Sequence, residues 1–191
     1  MSCSLRKTLL AAAALPLIGW GGAIVTVEPG FAQAQSQSRG DPQMKVSTSE
    51  YVQKAAMGDM FEIESSKIAA EKAQNKEVKD FAQKMVKDHT ESTKMITEAS
   101  AKGKVNATMP KELDAEHKAK LEKLRSASGA EFDRQYVTMQ MEAHEKAMQL
   151  HAGYAKTGDN EQLKEAAEDI AEHVEDHLDD IKDIQKSMSK S

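Results

Sequence analysis

The chain has 191 residues, of which 39% are hydrophobic and 30% charged, with a formal net charge of −5. That length supports one domain with a real core, and without a basic patch carrying interleaved aromatics it argues against a nucleic-acid partner. The one cysteine, Cys3, allows no disulfide and leaves the rest of the chain without a thiol nucleophile or thiolate ligand.

In chain order, Arg6 and Lys7 precede an apolar stretch, Thr8 to Val27, that is weakened as a helix by Pro16 and several glycines. Ala32-Gln33-Ala34 then supplies the small-x-small pattern of a cleavage site, so residues 1–34 are expected to be a secretory signal cut after Ala34. A periplasmic destination follows, with outer-membrane association left open. Arg6-Lys7 only echoes a twin-arginine pair, so the choice of export route is also open. Cys3 and Trp20 leave with the signal. Residues 35–46 read as a polar, flexible leader and 47–188 as the folded domain. No later apolar run is long enough to span a bilayer. An envelope protein partner and self-association both remain open.

The domain reads helical throughout, with Pro110 as its only proline. A capping box, Ser47-x-x-Glu50, starts a helix that runs to about Gln74. Its apolar strips are Val52, Ala56, Ile63, Ala70 and Met57, Phe61, Ile68. A second helix runs from about Lys76 to Lys102 and stops at Gly103, with Val78, Ala82, Met85, Ile96 and Ala99 in one series. After a loop to Pro110, a short helix carrying Leu113, Leu121 and Leu124 leads to Ser128-Gly129. A second capping box, Ser128-x-x-Glu131, starts the next long helix, which reaches about Lys156. Gly158-Asp159 turns into the last, lined by Leu163, Ala167, Ile170, Val174, Leu178 and Ile181. Four long helices with one short extra helix before the third predict an all-α, antiparallel four-helix bundle.

Histidines stand on or beside the apolar faces of three of these helices: His89, His144 and His177. Glu62 and Asp59 share a strip of the first helix with Ala55, Ser66, Ala69 and Ala73, small residues that let neighbouring helices close in. His173 lies one turn before His177. These residues define a candidate metal set, Glu62, His89, His144, His173 and His177, with Asp59, Asp88 and Asp133 as a supporting polar network. Imidazole and carboxylate suit zinc or copper. Asp88 can hold the second ring nitrogen of His89 only if helix phase allows it, since adjacent residues point about 100° apart. His117 and His151 read as surface or boundary residues. A di-iron centre is disfavoured, because that chemistry wants Glu-x-x-His on two helices and none occurs in this chain. No catalytic residue is assigned.

Tyr51-Val52-x-x-Ala55-Ala56, Glu62, Phe81-Ala82-x-x-Met85-Val86-x-Asp88-His89, Ser128-Gly129-x-x-Phe132-Asp133-x-x-Tyr136, His144 and His177-Leu178 together resemble domain-of-unknown-function family 4142. Its members are secreted bacterial proteins, often labelled predicted outer membrane protein. The resemblance covers about Ser49 to Ile184. It implies a ferritin-like bundle in a Gram-negative envelope, with recurrent polar positions at Glu62, Asp88, His89, Asp133, His144 and His177, and brings no established activity. Many members carry Leu-Pro shortly before the last histidine. This chain has Ala171-Glu172 and then His173, which removes the basis for a proline kink.

Three functional readings follow. The first is a non-catalytic structural or stress-related envelope protein whose Glu/Asp/His residues form a buried network. The alternative is a mononuclear zinc- or copper-binding protein using the interior histidines. The third, a redox enzyme, is weakened by the missing Glu-x-x-His.

Overall fold

The computed structural model describes residues 46–190; the signal segment, its cleavage site and all of the expected leader except Val46 lie outside them. Five helices follow one another: α1 (Thr48–Lys72), α2 (Lys76–Lys102), α3 (Ala115–Ser126), α4 (Gly129–Thr157) and α5 (Glu161–Met188). The all-α bundle with a short additional helix is thus as the periodicity predicts. No helix among the described residues is long and apolar enough to cross a membrane.

Four of the five starts are capped by side chains. Ser47 accepts the Glu50 N–H at 3.3 Å, Asn75 those of Glu77 and Val78, Asp114 that of His117, and Asn160 that of Leu163. The fifth departs from expectation. Ser128 precedes α4 without a side-chain cap bond, because Gly129 enters the helix at φ 61°, away from the geometry a capping box needs. Glu131 pairs instead with Arg134 at 2.8 Å. Gly103 ends α2 for a different reason than a left-handed cap. A Cβ there would lie 2.5 Å from Asn160 Oδ1, and Asn160 Nδ2 donates to the Gly103 carbonyl at 3.1 Å.

Residues 73–75 join α1 to α2, and 158–160 join α4 to α5, as two tight hairpins. α1 lies antiparallel to α4: the Ser66 and Tyr136 hydroxyls bond at 2.8 Å, and towards the start of α1 Tyr51 Oη meets His151 Nδ1 at 3.0 Å. α2 lies antiparallel to α5, through Asp88–His177 at 3.1 Å and the Gly103–Asn160 contact. Each long helix therefore runs opposite to both neighbours. The connection between the hairpins returns along the outside, with α3 packed on α1 and α4. This is the single-crossover topology of ferritin-like bundles.

The core is divided along the bundle axis. Ala69, Val78, Phe81, Met85, Phe132, Tyr136 and Ile181 belong to one apolar cluster. Tyr51, Ala55, Ile96, Tyr154, Ile170 and Val174 belong to another. On every long helix a polar residue stands at the boundary: Asp59 and Glu62 on α1, His89 on α2, His144 on α4 and His177 on α5, all 4% exposed or less. The strips expected on α1 flank this line. Ile63, Ala70, Met57 and Ile68 are only half-buried, because the small-residue strip with Asp59 and Glu62 takes the central position.

Asp133, expected in the central network, lies elsewhere. Buried at 3% exposure, it accepts the backbone N–H groups of Gln74 and Asn75 at 3.2 and 2.8 Å, fastening the α1–α2 turn to α4. Asp133→Ala leaves two N–H groups without this acceptor and is expected to lower the unfolding free energy by about 1–3 kcal/mol in urea titration. An unchanged midpoint would show that the turn is held by other means.

Candidate metal centre

Glu62 lies at the middle of the bundle, fully enclosed. Its Oε1 is 3.2 Å from His144 Nδ1, and its Oε2 lies against His89 Nε2. Neither contact has the alignment of a hydrogen bond, so both carboxylate oxygens and His89 Nε2 are buried without a hydrogen-bond partner. Burial alone would raise the Glu62 pKa; the His144 and His89 imidazoles outweigh it and hold the group well below the usual carboxylate range. Burial alone would lower His89. Glu62 and Asp59 reverse this, pushing the imidazole well above its ordinary value. Without a metal, His89 is thus a cation held between two acidic side chains.

The three imidazoles converge. Ring centroids are 5.4 Å apart for His89–His144, 5.7 Å for His89–His177 and 5.2 Å for His144–His177. One ring nitrogen from each lies within 4.8 Å of the other two. The opposite nitrogen of each ring meets an oxygen acceptor. His89 Nδ1 meets Asp59 Oδ1 at 2.9 Å, His144 Nδ1 meets the Gln140 carbonyl at 2.8 Å, and His177 Nε2 meets Asp88 Oδ2 at 3.1 Å. Thr93 steadies Asp59 by donating to its Oδ2 at 3.0 Å. Outer nitrogens tied to oxygen acceptors, with inner nitrogens facing one another, form the arrangement that orients metal-binding histidines.

A carbonyl only accepts, so His144 carries its hydrogen on Nδ1; the Asp88 carboxylate likewise draws the His177 hydrogen to Nε2. His144 Nε2 and His177 Nδ1 then face each other as bare lone pairs, 3.2 Å apart. Giving His177 the other tautomer only moves the conflict to Asp88. A second proton on either ring would resolve it, but burial resists that charge. The pKa of His144 is lowered, and that of His177 falls to about 3 through burial, the neighbouring His144 and Lys84. Burial also opposes the Asp88 carboxylate, but its bond to His177 and its contact with Lys84 hold the pKa low. With both rings neutral, the three contacts from Gln140 to Asp88 have two hydrogens between them.

The expected site residues are sorted accordingly. Glu62, His89, His144 and His177 come together. His173 does not join them; it is exposed at the rim of the α2/α5 groove, because four residues turn the helix about 40° past a full revolution and Ile170 and Val174 take the buried positions there. Asp88 cannot serve His89, from which helix phase turns it away; it serves His177 instead, and Asp59 holds His89. His117 is a boundary residue tilted over Phe61 at 4.9 Å. His151, expected near the surface, is buried at 3% exposure, because Tyr51 reaches across from α1 to bond it. Three participants were not singled out from sequence: Gln140, Thr93 and Ser65, which accepts from Gln140 Nε2 at 3.1 Å. Gln140 and Thr93 sit one turn from His144 and His89, a spacing that carries the signal.

A helical bundle whose interior histidines meet around a buried carboxylate is the class of protein that this fold and centre define. The chain belongs to the family described as Domain of unknown function (DUF4142), whose model matches residues 33–184. A search of curated proteins gives no match. Among solved structures, a DUF305 protein of Streptomyces coelicolor, named as secreted, superposes with a TM-score of 0.63 at 15% identity, over 75% of this chain and 94% of that one. CopM in its Cu(I)-bound form gives 0.61 at 15%, over 74% and 96%. Its Cu(II)-bound form gives 0.62 at 17%, over 75% and 99%. At these identities the likeness is one of fold.

Burial lowers His151 from 6.5 to about 4. Below pH 6.5 the unfolded chain takes up a proton that the folded state refuses, so stability falls as the pH drops from 6.5 to about 4 and levels off below. The urea midpoint of the metal-free protein should decline over that window. In His151→Gln, which stays neutral and can still bond Tyr51, the decline should be shallower. Equal declines would remove His151 from the acid response.

Proposed function

We propose that this protein binds one transition-metal ion, zinc or copper, through His89, His144 and His177, with Glu62 beside the ion as a counter-charge and candidate fourth donor. The observation that carries the reading is the convergence of one ring nitrogen from each of His89, His144 and His177 within 4.8 Å of the others, with His144 Nε2 and His177 Nδ1 3.2 Å apart. Two nitrogens bound to one tetrahedral ion at about 2.0–2.1 Å each would sit roughly 3.3 Å apart. A cation between them removes the conflict without the second ring proton that burial disfavours.

The chemistry of the donors suits this. Three imidazoles and a carboxylate are borderline ligands that take zinc or copper, and the usual affinity order places Cu(II) ahead of Zn(II). Loading displaces the His89 proton from Nε2, while Nδ1–H continues to donate to Asp59. Glu62, now beside a cation that is not a protonated ring, keeps its charge matched. Support from outside the chain is limited to the shared bundle fold of CopM, a protein seen with bound copper. The structural reading is absorbed rather than opposed. The same residues hold the four helices in register, and binding adds to their cohesion. Secretion to the periplasm, supported by the leader pattern and by a fold neighbour named as secreted, would place the site where metal ions arrive from outside the cell.

Elemental analysis of protein purified from periplasm tests the reading. About one equivalent of zinc or copper is expected in the wild type, little in His144→Ala or His177→Ala, and an unchanged amount in His173→Ala. Ion in hundredfold excess over its dissociation constant should add about 2.7 kcal/mol of stability. Negligible metal in the wild type, or full retention in both core variants, would contradict the assignment.

A further inference from the structure

Two grooves approach the centre from opposite sides of the bundle, and they differ in what they offer an ion. The groove between α1 and α4, about 490 Å³ and roofed by α3, is lined by Glu62, His89, His117 and His151. Of the three converging histidines it reaches only His89. The groove between α2 and α5, about 770 Å³, is lined by Asp88, His89, His177, His173 and Met95. It reaches two of the three and adds an exposed imidazole at its rim.

His177 forms the wall between this groove and the interior. Its Nε2 meets Asp88, and its Nδ1 faces His144. The Asp88 side chain is 24% exposed, so the polar chain that begins at His144 ends in contact with solvent. Asp88 is also paired with Lys84 at 3.3 Å, and Lys84 stands 3.6 Å from a second carboxylate, Asp180. Lys84 can therefore shift to Asp180 and leave Asp88 free to face an arriving cation. His173 precedes His177 by four residues, the spacing that places two side chains on one helical face about 5–6 Å apart at Cβ.

We propose that the ion enters and leaves through the α2/α5 groove, where His173 serves as a transient first ligand and, with Asp88, hands it across His177 to the interior nitrogens. The inference rests on the metal-binding reading and adds its route. An ion moving inward exchanges bound waters for imidazole and carboxylate one at a time, so it is never stripped of all its ligands at once. His173 has no place in the final coordination sphere. It acts on exchange, and by microscopic reversibility it must speed release as much as uptake.

Metal-free mature protein mixed rapidly with Cu(II), followed by the growth of ligand-field absorption, tests the route. Release is read separately with a chelator in excess. His173→Ala should slow uptake and release several-fold each, leaving the stoichiometry and the equilibrium dissociation constant unchanged. His117→Ala, at the opposite groove, should change neither rate. Unchanged rates in His173→Ala, or slower exchange in His117→Ala alone, would overturn the route while leaving the binding site intact. Loss of an equivalent of copper in His173→Ala would make it a resident ligand and also overturn the proposal. Absence of Cu(II) and Zn(II) binding by the wild type at equilibrium would overturn the binding reading itself, and the route with it.

Discussion

The structure is organised around a carboxylate that has nowhere else to go. Glu62 lies at the bundle centre with 2% of its surface exposed, and a buried charge is tolerated only where other polar groups compensate it. Each of the other three long helices contributes an imidazole to that task, and the helices must keep a common register for the imidazoles to meet. The apolar core is consequently cut in two, with Phe81, Tyr136 and Ile181 on one side of the polar layer and Tyr51, Ile96 and Tyr154 on the other. Sliding any helix by one turn would bring a histidine into an apolar layer and an apolar side chain against Glu62.

The layer satisfies most of its own demands, and the remaining mismatch lies where the proposed ion would sit. His89, protonated, lies between Glu62 and Asp59 and offsets part of their charge. Burial disfavours charge on His144 and His177, and as neutral rings they would have two hydrogens for three contacts. A purely structural network would be expected to close its hydrogen bonds, since half-satisfied buried networks destabilise. Here both Glu62 oxygens and His89 Nε2 are among the buried atoms without a hydrogen-bond partner, and they belong to the same polar layer as the facing nitrogens. The structural and metal-binding readings therefore concern the same atoms. They differ in whether a proton or a metal ion supplies the positive charge. The Glu-x-x-His pattern of di-iron centres is missing from the sequence, with Val86, Met141 and Val174 in the positions where its glutamates would precede each histidine.

Much of this arrangement was legible in the sequence. The limits of α2, the hairpin at Gly158-Asp159, the inward set of the three histidines and the central strip of α1 all follow from helical period and small-residue spacing. What period cannot give is which partner lies across the bundle. Asp88 and His89 are neighbours in sequence, yet they serve different rings on different helices. Asp133 shares a face with Val137 and Met141, yet the turn it fastens comes from another hairpin. His151 looked peripheral because its environment depends on Tyr51, a hundred residues earlier in the chain. Such pairings are set by tertiary register, and a single sequence carries no record of it. His173 shows the converse limit. Its spacing from His177 suits a shared ion, but the curvature of a helix surface places it at the rim.

The central claim is that three imidazole nitrogens share one ion. X-ray absorption at the metal edge of zinc- or copper-loaded protein tests it most directly. The account predicts a nearest shell of three imidazole nitrogens and one light oxygen at about 2.0–2.1 Å for zinc, with the outer-ring scattering of histidine. A shell dominated by sulfur from methionine, or one of oxygen without imidazole scattering, would contradict it.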